Sequence, residues 1–339
     1  MRIAIYGAGS LGTVLGAYLA KAGVAIDLYS RNEEHIQALR KDGATVVGKV
    51  QLQQQVHALL PSEMNGLYDC IFLLTKQLEN QKVASFLKPF LAEDGMLCTM
   101  QNGLPEPQLM EILGKDRVCG CAVGWGATLL GPGVAELTSE ADALHFNLGL
   151  PTAGREERLD EIATILGNMG PVTIEPNFIG ARYSKLLINA AFSGTATALG
   201  TTFGRVAQDK NARRIAQLVM KECLDTARAA GIRIEPVQGK DIAKLFDYHS
   251  PFKRLVSFAL IPLAMKKHAS LKPSMLQDIE KGKPCEVDAI NGALGREANK
   301  AGVATPANDL VVEVIHRIES GELKPQWENI GLFSTLFSK

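Results

Sequence analysis

Residues 2–12 read RIAIYGAGSLG, and this stretch decides the fold. A short apolar run, Arg2–Gly7, precedes a segment with helical spacing of its apolar residues, Ser10–Ala22. The turn between them is GxGxxG, in which the first glycine permits a tight turn and the second lets the backbone approach a pyrophosphate. The third lets the helix pack closely on the strand. The stretch predicts a dinucleotide-binding loop, with phosphate at the helix N-terminus, formed by Gly7, Ala8, Gly9, Ser10, Leu11 and Gly12.

Strands and helices alternate through the first half of the chain. Ala25–Tyr29, Asp69–Leu74 and Met96–Met100 are the continuous apolar runs of buried strands. Helical patterns cover Asn32–Lys41, with Asn32 as its N-cap, and Glu79–Leu91. This alternation predicts an α/β fold, a Rossmann domain whose parallel sheet carries helices on both faces.

The pattern changes over residues 117–150. Glycine-rich turns such as Gly131-Pro132-Gly133 separate short alternating runs such as Val134–Leu137, which predicts antiparallel strands added to the edge of the sheet. A helix at about Arg155–Met169 and a short strand at Val172–Ile174 are expected to close the domain.

The second half has a mostly helical pattern, which predicts an all-helical C-terminal domain. Glu175-Pro176 marks the expected border, with a dinucleotide domain at 1–175 and a helical substrate domain at 176–339. A cleft between two such domains is where a substrate is expected. The predicted helices are Phe178–Leu199, Ala212–Ala230, Ser250–His268, Val287–Ala301 and Pro306–Glu319.

Composition narrows the class of protein. The 339 residues favour two domains, and 46% hydrophobic with 21% charged residues is typical of a globular protein. Lys+Arg and Asp+Glu both number 36, so nothing indicates a nucleic-acid binder. No apolar run reaches the roughly 18 residues of a membrane helix. The first residues lack the features of a signal peptide, so we expect a cytoplasmic protein.

The cysteine spacing gives little support to a metal site. Neither CxxC nor HExxH occurs, and four of the six cysteines lie in apolar strand-like runs. We expect reduced thiols that serve as small core residues. The cysteines are Cys70, Cys98, Cys119, Cys121, Cys223 and Cys285.

The residues after the second strand indicate which dinucleotide binds. An NAD enzyme places Asp or Glu there to bind the ribose 2′-hydroxyl, whereas this strand ends Leu28-Tyr29-Ser30-Arg31. The Arg31 guanidinium suits a 2′-phosphate, and Ser30 offers a further hydrogen bond. The pattern favours NADP over NAD; a solvated Arg31 is the alternative. FAD competes for the same loop, but the sequence has no second flavin signature.

Two further segments follow strands of the parallel sheet. Lys76 follows Asp69–Leu74, and Gln101-Asn102-Gly103 follows the strand ending at Met100. The carboxyl ends of parallel strands line the ligand crevice, so we expect both segments beside the cofactor. Each also has an ordinary interpretation, as a solvated lysine and as an Asn-Gly turn.

A polar stripe is predicted on the first helix of the second half. Lys185, Asn189 and Ser193 stand four apart between apolar flanks, which predicts one shared helix face. A lysine on a buried helix is costly unless it is paired or used. Reduction of a carbonyl needs a proton for the developing alkoxide, and Lys185 is our candidate acid. A snorkelling lysine is the alternative.

Farther along, Glu286 and Asp288 open a predicted helix, where carboxylates commonly only stabilise the helix dipole. Ser274 precedes them and is expected either to cap its helix or to contact a ligand.

Taken together in order, these motifs resemble the ketopantoate reductases (2-dehydropantoate 2-reductases) over about residues 1–320. The C-terminal motifs are far more specific than the glycine loop. The matching segments are GxGxxG at 7, Lys76, Gln101-Asn102-Gly103, Lys185-Leu186-x-x-Asn189, Ser274-Met275-Leu276-Gln277-Asp278 and Glu286-x-Asp288-x-x-Asn291-Gly292.

The resemblance implies NADPH-dependent reduction of 2-dehydropantoate to (R)-pantoate, on the route to pantothenate and coenzyme A. It implies that Lys185 is the general acid and that Glu286 holds the substrate hydroxyl. It also implies cofactor contacts for Lys76, near the ribose, and for Asn102, near the nicotinamide. The implied substrate contacts are Asn102, Asn189, Ser193 and Ser274.

Three positions depart from the family pattern, which has asparagine at each. This chain has Ser193, Phe203 and Leu271 there. Ser193 keeps a hydrogen-bonding group, whereas the other two do not, and each unpaired substrate group would cost about 1–3 kcal/mol. The reaction class is therefore better supported than the substrate.

Two alternatives remain open. One keeps the chemistry with another branched 2-oxo acid, or with a 3-hydroxy acid as in the 6-phosphogluconate-like dehydrogenases. The other is an NADP-binding regulator without activity. The presence of both Lys185 and Glu286 argues against this alternative. The sequence leaves the oligomeric state open, with a homodimer among the alternatives.

Overall fold

A computed structural model gives the fold of the chain and describes residues 1–152, 157–236 and 241–337. The chain forms two compact units. Met1–Gln101 and Pro105–Phe178 form the first, and Asn102–Leu104 and Ile179–Lys339 form the second. The first unit is α/β and the second is helical, so the predicted fold class is confirmed.

The described part of the first unit contains twelve strands. They are β1 (Ile3–Tyr6), β2 (Ile26–Tyr29), β3 (Ala44–Gly48), β4 (Leu52–Gln54), β5 (His57–Leu59), β6 (Tyr68–Leu73), β7 (Leu91–Thr99), β8 (Val118–Val123), β9 (Ala127–Gly131), β10 (Val134–Leu137), β11 (Phe146–Gly149) and β12 (Val172–Ile174).

Eight of these strands form the main sheet, in the order β12-β11-β8-β7-β6-β1-β2-β5. All neighbours are parallel except β11 and β8. The central strands are buried on both faces, which explains their unbroken apolar runs. The carboxyl ends of β1, β2, β6 and β7 therefore lie along one edge.

The described part of the first unit contains five α-helices. Side chains of β1 alternate between the two faces: Ile5 packs in one core with Val14 of the first helix, and Ala4 in the other with Leu109 of the fourth. Helices thus cover both faces, as predicted. The helices are α1 (Ser10–Lys21), α2 (Glu33–Asp42), α3 (Asn80–Leu87), α4 (Glu106–Leu113) and α5 (Arg158–Leu166).

Helix α2 begins where the sequence predicts. The side chain of Asn32 accepts a hydrogen bond from the His35 N–H at 3.1 Å, which confirms the N-cap. Helix α3 is shorter than the predicted Glu79–Leu91, because 3₁₀ turns flank it and β7 already begins at Leu91. Helix α5 falls within the predicted Arg155–Met169, of which Arg155 lies outside the described residues.

The prediction for residues 117–150 is wrong in one respect. The β9–β10 hairpin does not extend the main sheet: it joins a second, four-stranded sheet in the order β4-β3-β10-β9. Strand β10 runs parallel to β3, nearly ninety residues earlier in the chain, and antiparallel to β9. Alternation within a strand does not identify such a distant partner.

The second unit is built from helices around one apolar core. Its α-helices are α6 (Phe178–Ile188), α7 (Thr195–Ala198), α8 (Phe203–Gln208), α9 (Lys210–Ala229), α10 (Ile242–Phe246), α11 (Pro251–Ala264), α12 (Ser274–Glu280), α13 (Val287–Lys300) and α14 (Pro306–Glu319). A 3₁₀ segment, Trp327–Phe337, follows α14. Among the described residues, no helix combines the length and apolarity needed to span a membrane.

The helix predicted at Phe178–Leu199 is present through Ala198, but it is not α-helical throughout. A π-helical segment, Asn189–Gly194, separates α6 from α7. A π-helix bonds i to i+5, and a sequence pattern read with the α-helical period cannot reveal the change.

Candidate functional site

The glycine loop is fixed to the main sheet through its backbone. The N–H groups of Gly7 and Ala8 both donate to the carbonyl of Tyr29, at 2.9 and 2.8 Å. Tyr29 ends β2, the strand beside β1. The loop is therefore held at the carboxyl edge of the sheet without help from its side chains.

Each of the three glycine positions of the motif favours glycine for a different steric reason. Gly7 has φ of +111°, and a Cβ there would lie 2.5 Å from the Thr75 nitrogen. A Cβ on Gly12 would lie 2.3 Å from the Gly7 carbonyl oxygen. A Cβ on Gly9 would meet no described atom within 4 Å. Gly7 and Gly12 thus serve packing, whereas Gly9 leaves an open side that a pyrophosphate can approach.

The start of α1 suits an anion. Gly9 is its N-cap and offers no side-chain hydrogen bond, and the first turn contains no acidic residue. The first N–H groups of a helix have no intrahelical acceptor, and the helix dipole favours negative charge there. These residues fit a dinucleotide pyrophosphate; binding by Gly7–Gly12 itself remains a prediction.

A buried amide joins the loops that follow β6 and β7. Gln101 donates from Nε2 to the Thr75 carbonyl at 2.7 Å and to the Asn80 Oδ1 at 2.8 Å. Its Oε1 accepts from Thr99 Oγ1 at 3.0 Å. Gln101 therefore fixes the loop that carries Lys76, which is half-buried. The sequence predicted only that the segment Gln101-Asn102-Gly103 lies beside the cofactor or forms a turn, and it gave no sign of this network.

A second buried network lies under the glycine loop. The Nδ1 of His35 accepts the Gly133 N–H at 3.0 Å, so its proton is on Nε2, which lies 3.1 Å from Thr13 Oγ1. The Thr13 hydroxyl lies 3.4 Å from the Ala8 carbonyl. Burial lowers the pKa of His35. A neutral imidazole thus links the loop at Gly133 to the glycine loop, a role with no signal in the sequence.

Arg31 stands at the predicted position but has a protein partner. Its side chain is 68% exposed, and Nη1 lies 2.6 Å from Oε2 of Glu79. The hydroxyl of Ser30 accepts the Asn32 N–H at 3.2 Å. The predicted 2′-phosphate residue is therefore accessible and already paired with a carboxylate that sequence analysis did not consider.

In the second unit, the predicted polar stripe coincides with the π-helical segment. Lys185 lies one turn before the segment, Asn189 begins it, and Ser193 lies near its end. Lys185 and Asn189 are half-buried, and Ser193 is buried. Single-turn π-segments occur frequently at functional sites.

Asn291 holds the π-helical segment in place. This fully buried residue of α13 donates from Nδ2 to the Ala190 carbonyl at 3.0 Å and to Asn308 Oδ1 at 2.9 Å. A Cβ on Gly194 would lie 2.8 Å from the Asn291 amide, so the close approach requires glycine there. The motif contained Asn291, but only the structure reveals what the residue does.

The remaining predicted residues lie on α12 and α13, and both helices contact the π-helical segment. Glu286 is the buried N-cap residue of α13. Asp288 is exposed, and its carboxylate lies 3.1 Å from the His316 ring, which suits a structural role. Ser274 is exposed at the first position of α12, where Pro273 is the N-cap residue. Of the two alternatives predicted for Ser274, the helix cap is therefore wrong, and contact with a ligand stays a prediction.

Two of the three positions expected to depart from the family pattern, Phe203 and Leu271, are joined through the backbone. The Phe203 N–H donates to the Leu271 carbonyl at 3.0 Å. The Phe203 ring is buried and packs on Phe192, with 5.8 Å between ring centroids. Phe203 is thus a core residue beside the π-helical segment, and Leu271 is exposed.

The six cysteines are all free and buried. Burial raises the pKa of Cys223 to about 12, which leaves the neutral thiol at neutral pH. Over the described ranges, no group of three or more His, Cys, Asp or Glu side chains is placed to hold a metal ion.

Both halves of the chain match models of one family. Residues 3–148 match ketopantoate reductase PanE/ApbA, and residues 177–319 match ketopantoate reductase PanE/ApbA C terminal. The 2-dehydropantoate 2-reductase of Lactococcus lactis subsp. lactis (strain IL1403) is 28% identical over 94% of this chain and 98% of its own length.

Solved structures share the fold. A D-mandelate dehydrogenase in a ternary structure with NADH and anilino(oxo)acetate superposes with a TM-score of 0.81 at 24% identity, over 95% of this chain and 99% of that one. A dimeric ketopantoate reductase from Staphylococcus aureus has a TM-score of 0.74 at 19% identity, over 95% and 100%. With both family models matched in order, the chain is an oxidoreductase that belongs to the ketopantoate reductase family.

Proposed function

We propose that this protein reduces 2-dehydropantoate to (R)-pantoate with NADPH, and that Lys185 supplies the proton. The observation that carries the proposal is the half-buried Lys185, one helical turn before the π-helical segment that Asn189 begins. The family relationship supports the reaction class. In this proposal residues 1–175 bind the cofactor and residues 176–339 provide the acid and the substrate contacts.

The cofactor-binding residues are proposed from the geometry of the first unit. The N-terminus of α1 and the open side of Gly9 receive the pyrophosphate. Arg31 contacts the 2′-phosphate, since a guanidinium suits a phosphate better than a hydroxyl. Lys76 contacts the ribose, and Asn102 lies near the nicotinamide.

NADPH supplies the hydride that reduces the ketone carbon. The carbonyl oxygen then develops negative charge, and the Lys185 ammonium first stabilises that charge and then donates the proton. Its neutral amine is reprotonated from solvent before the next turnover. Glu286 accepts a hydrogen bond from the substrate hydroxyl, which fixes the face of the ketone that is reduced.

The substrate contacts are proposed for side chains on the elements that meet at the π-helical segment. Asn189 and Ser193 belong to the segment, and α12, which carries Ser274, contacts it. Asn102 completes the set. Amide and hydroxyl groups suit a small acid with a ketone and a hydroxyl, because they pair with both kinds of oxygen.

Incubation of the purified protein with NADPH and 2-dehydropantoate tests the proposal. We expect loss of absorbance at the reduced-nicotinamide band, with (R)-pantoate as the product on chiral chromatography. Absence of substrate-dependent oxidation, with NADPH binding intact, would contradict the proposed substrate.

A second candidate keeps this chemistry with a different 2-oxo or 3-hydroxy acid. The observation that favours it is the replacement of amides at Phe203 and Leu271, the first of which packs on Phe192 within the π-helical segment. Apolar groups at these positions cannot pair with polar groups of a substrate, which favours a less polar side chain on the acid. Rates on a panel of 2-oxo acids distinguish the two: the second candidate predicts a higher kcat/KM for an acid with an apolar side chain than for 2-dehydropantoate.

We also propose that the protein is a homodimer through α11. Phe252, Leu255 and Leu263 are 75%, 66% and 70% exposed, and with Val256 and Ala259 they form one exposed apolar stripe at helical spacing. Such stripes commonly mark interfaces, and the Staphylococcus aureus relative is described as dimeric.

Light scattering after size-exclusion chromatography tests the dimer. The parent protein is expected at twice the chain mass of 36.5 kDa, and Leu255→Glu is expected at the monomer mass. Exposed Leu130, on β9, gives a matched control: Leu130→Glu should leave the dimer intact. A monomeric parent protein would rule out this interface.

A further inference from the structure

We propose that Glu79 sets the dinucleotide preference of this enzyme, because it competes with the cofactor 2′-phosphate for Arg31. The inference rests on the proposed function, in which Arg31 meets the adenosine ribose. It assigns a specificity role to a residue outside the glycine loop and outside β2.

The ion pair bridges two loops at the edge where the cofactor is proposed to bind. Arg31 follows β2, and Glu79 ends the 3₁₀ turn after β6. Strand β1 lies between β2 and β6 in the sheet, and it leads into the glycine loop. The charges of both partners act on Tyr6, the last residue of β1, whose pKa burial raises.

Glu79 is held as a carboxylate. Its Oε2 lies 2.6 Å from Arg31 Nη1, and its Oε1 lies 3.3 Å from Lys82 Nζ. Hydrogen bonds from these two cations lower the pKa of Glu79. At neutral pH the negative charge is therefore fixed beside the guanidinium that the 2′-phosphate requires.

The two dinucleotides meet this arrangement differently. NADPH must replace the carboxylate at Arg31, or else bring a phosphate dianion next to a carboxylate; both oppose its binding. NADH carries a 2′-hydroxyl. In NAD-dependent Rossmann enzymes such a hydroxyl donates a hydrogen bond to a carboxylate. In those enzymes the carboxylate stands at the tip of β2, whereas here the loop after β6 supplies it.

The pair is too exposed to be explained by stability alone. Exposed ion pairs contribute little to folding, and the Arg31 side chain is 68% exposed. The effect of the Glu79 charge on a ligand is larger, because a charge that faces a phosphate dianion changes the binding free energy directly. Glu79 therefore weakens the preference that Arg31 alone would give.

Isothermal titration calorimetry with adenosine 2′,5′-bisphosphate and 5′-AMP isolates the 2′-phosphate. Glu79→Gln is expected to strengthen binding of the bisphosphate by roughly tenfold, the size of one nearby charge acting through water on a dianion. Binding of 5′-AMP should not improve. Calorimetry with NADPH and NADH should show the same change in ratio, and 0.5 M salt should reduce it.

Glu140→Gln provides the matched control. Glu140 pairs with Lys49, also on the surface of the first unit, but these two residues follow β10 and β3 of the second sheet rather than strands of the main sheet. This variant should leave the nucleotide ratio unchanged. In the background Arg31→Ala, Glu79→Gln should no longer change the preference by the same factor.

The outcomes separate the two claims. If Glu79→Gln leaves the ratio unchanged while Arg31→Ala weakens the bisphosphate, the inference on Glu79 is overturned and the NADP site stands. If Arg31→Ala leaves the bisphosphate affinity unchanged, the proposed NADP site itself fails. If Glu79→Gln raises the affinity for the bisphosphate relative to 5′-AMP, and this rise depends on Arg31, both the inference on Glu79 and the proposed NADP site are supported.

Discussion

The glycine loop and the π-helical segment are held in place by opposite means. The loop after β1 is fixed by backbone hydrogen bonds to Tyr29 and by the absence of a Cβ at Gly7 and Gly12. The π-helical segment is fixed by one buried side chain, Asn291 of α13, whose amide binds the Ala190 carbonyl.

This difference matches what each region is proposed to bind. A pyrophosphate is recognised by backbone N–H groups and a helix dipole, so the loop needs space more than side chains. A small keto acid is recognised and protonated by side chains, so Lys185 and Asn189 must be held in a fixed orientation. The comparison predicts that variants in the loop change cofactor affinity, and that variants around the segment change turnover.

Glycine variants should give the largest effects and separate packing from binding. Gly12→Ala is expected to lower the free energy of unfolding by about 2–4 kcal/mol, because its Cβ would lie 2.3 Å from the Gly7 oxygen. Gly9→Ala has space for its Cβ and should cost no more than about 1 kcal/mol, the usual effect of alanine at an N-cap. It should nevertheless weaken NADPH binding by roughly tenfold to a hundredfold, since each tenfold is only 1.4 kcal/mol.

Denaturant unfolding and calorimetry with NADPH measure the two quantities. A Gly9→Ala protein that binds NADPH like the parent would contradict the role assigned to the open side of this loop.

Asn291→Ala tests the same comparison at the π-helical segment. It removes the donor to the Ala190 carbonyl and to Asn308 Oδ1, while Asn308 Nδ2 keeps its bond to the backbone of residue 291, so we expect a loss of about 2–4 kcal/mol of stability. The π-helical segment is then no longer held by the hydrogen bond from Asn291, so kcat should fall while the Kd for NADPH stays the same. Urea unfolding, steady-state kinetics and calorimetry provide the three measurements.

Asn329→Ala is the control for a buried amide. Asn329 is also buried in the second unit, but it donates to the Ala198 and Lys324 carbonyls instead. It should lose stability and retain kcat at temperatures where it is folded. Equal losses of kcat in both variants would show that Asn291 acts only through general stability.

The smallest effect is expected from pH, through His35. Burial lowers its pKa in the folded state, so its contribution to stability is present above the unfolded pKa of about 6.5 and is lost as the pH falls through the folded pKa. Protonation would remove the acceptor for the Gly133 N–H. Below pH 6.5 we expect the unfolding temperature to fall first, and NADPH affinity to fall at the lower pH at which folded His35 takes up the proton.

His35→Gln cannot take up this proton, so its unfolding temperature should depend less on pH over that window. His268→Gln, at an exposed position, should keep the dependence of the parent protein. If His35→Gln and the parent protein show the same pH profile, the buried imidazole does not control the loop.

Local requirements in the sequence were predicted, and contacts between distant segments were not. Gly12 and the Asn32 cap each depend on neighbours within a few residues, and Pro306–Glu319 is a helix with the predicted bounds. The roles of Gln101 and His35 instead depend on partners that the fold brings near. A single sequence carries no signal for such pairs.

The same limit explains what was missed at the site. Arg31 was predicted from its place after β2, but its partner Glu79 comes 48 residues later. The π-helical segment keeps Lys185, Asn189 and Ser193 within one stretch, yet its changed hydrogen-bond period leaves no mark in the apolar pattern. The sequence therefore identifies the chemical groups better than the contacts that hold them.

Chemical rescue of Lys185→Ala tests the central claim most directly. The variant should lose roughly 10²- to 10⁴-fold in kcat, the usual contribution of a general acid, with NADPH affinity unchanged. Added methylamine or ethylamine should restore turnover in proportion to the ammonium concentration. Lys221→Ala, which removes a partly buried lysine that pairs with Asp225 on α9, should keep its turnover and show no response to amines. Parent-like kcat in Lys185→Ala, or a loss that no amine restores and that follows weaker NADPH binding, would contradict the assignment of Lys185 as the acid.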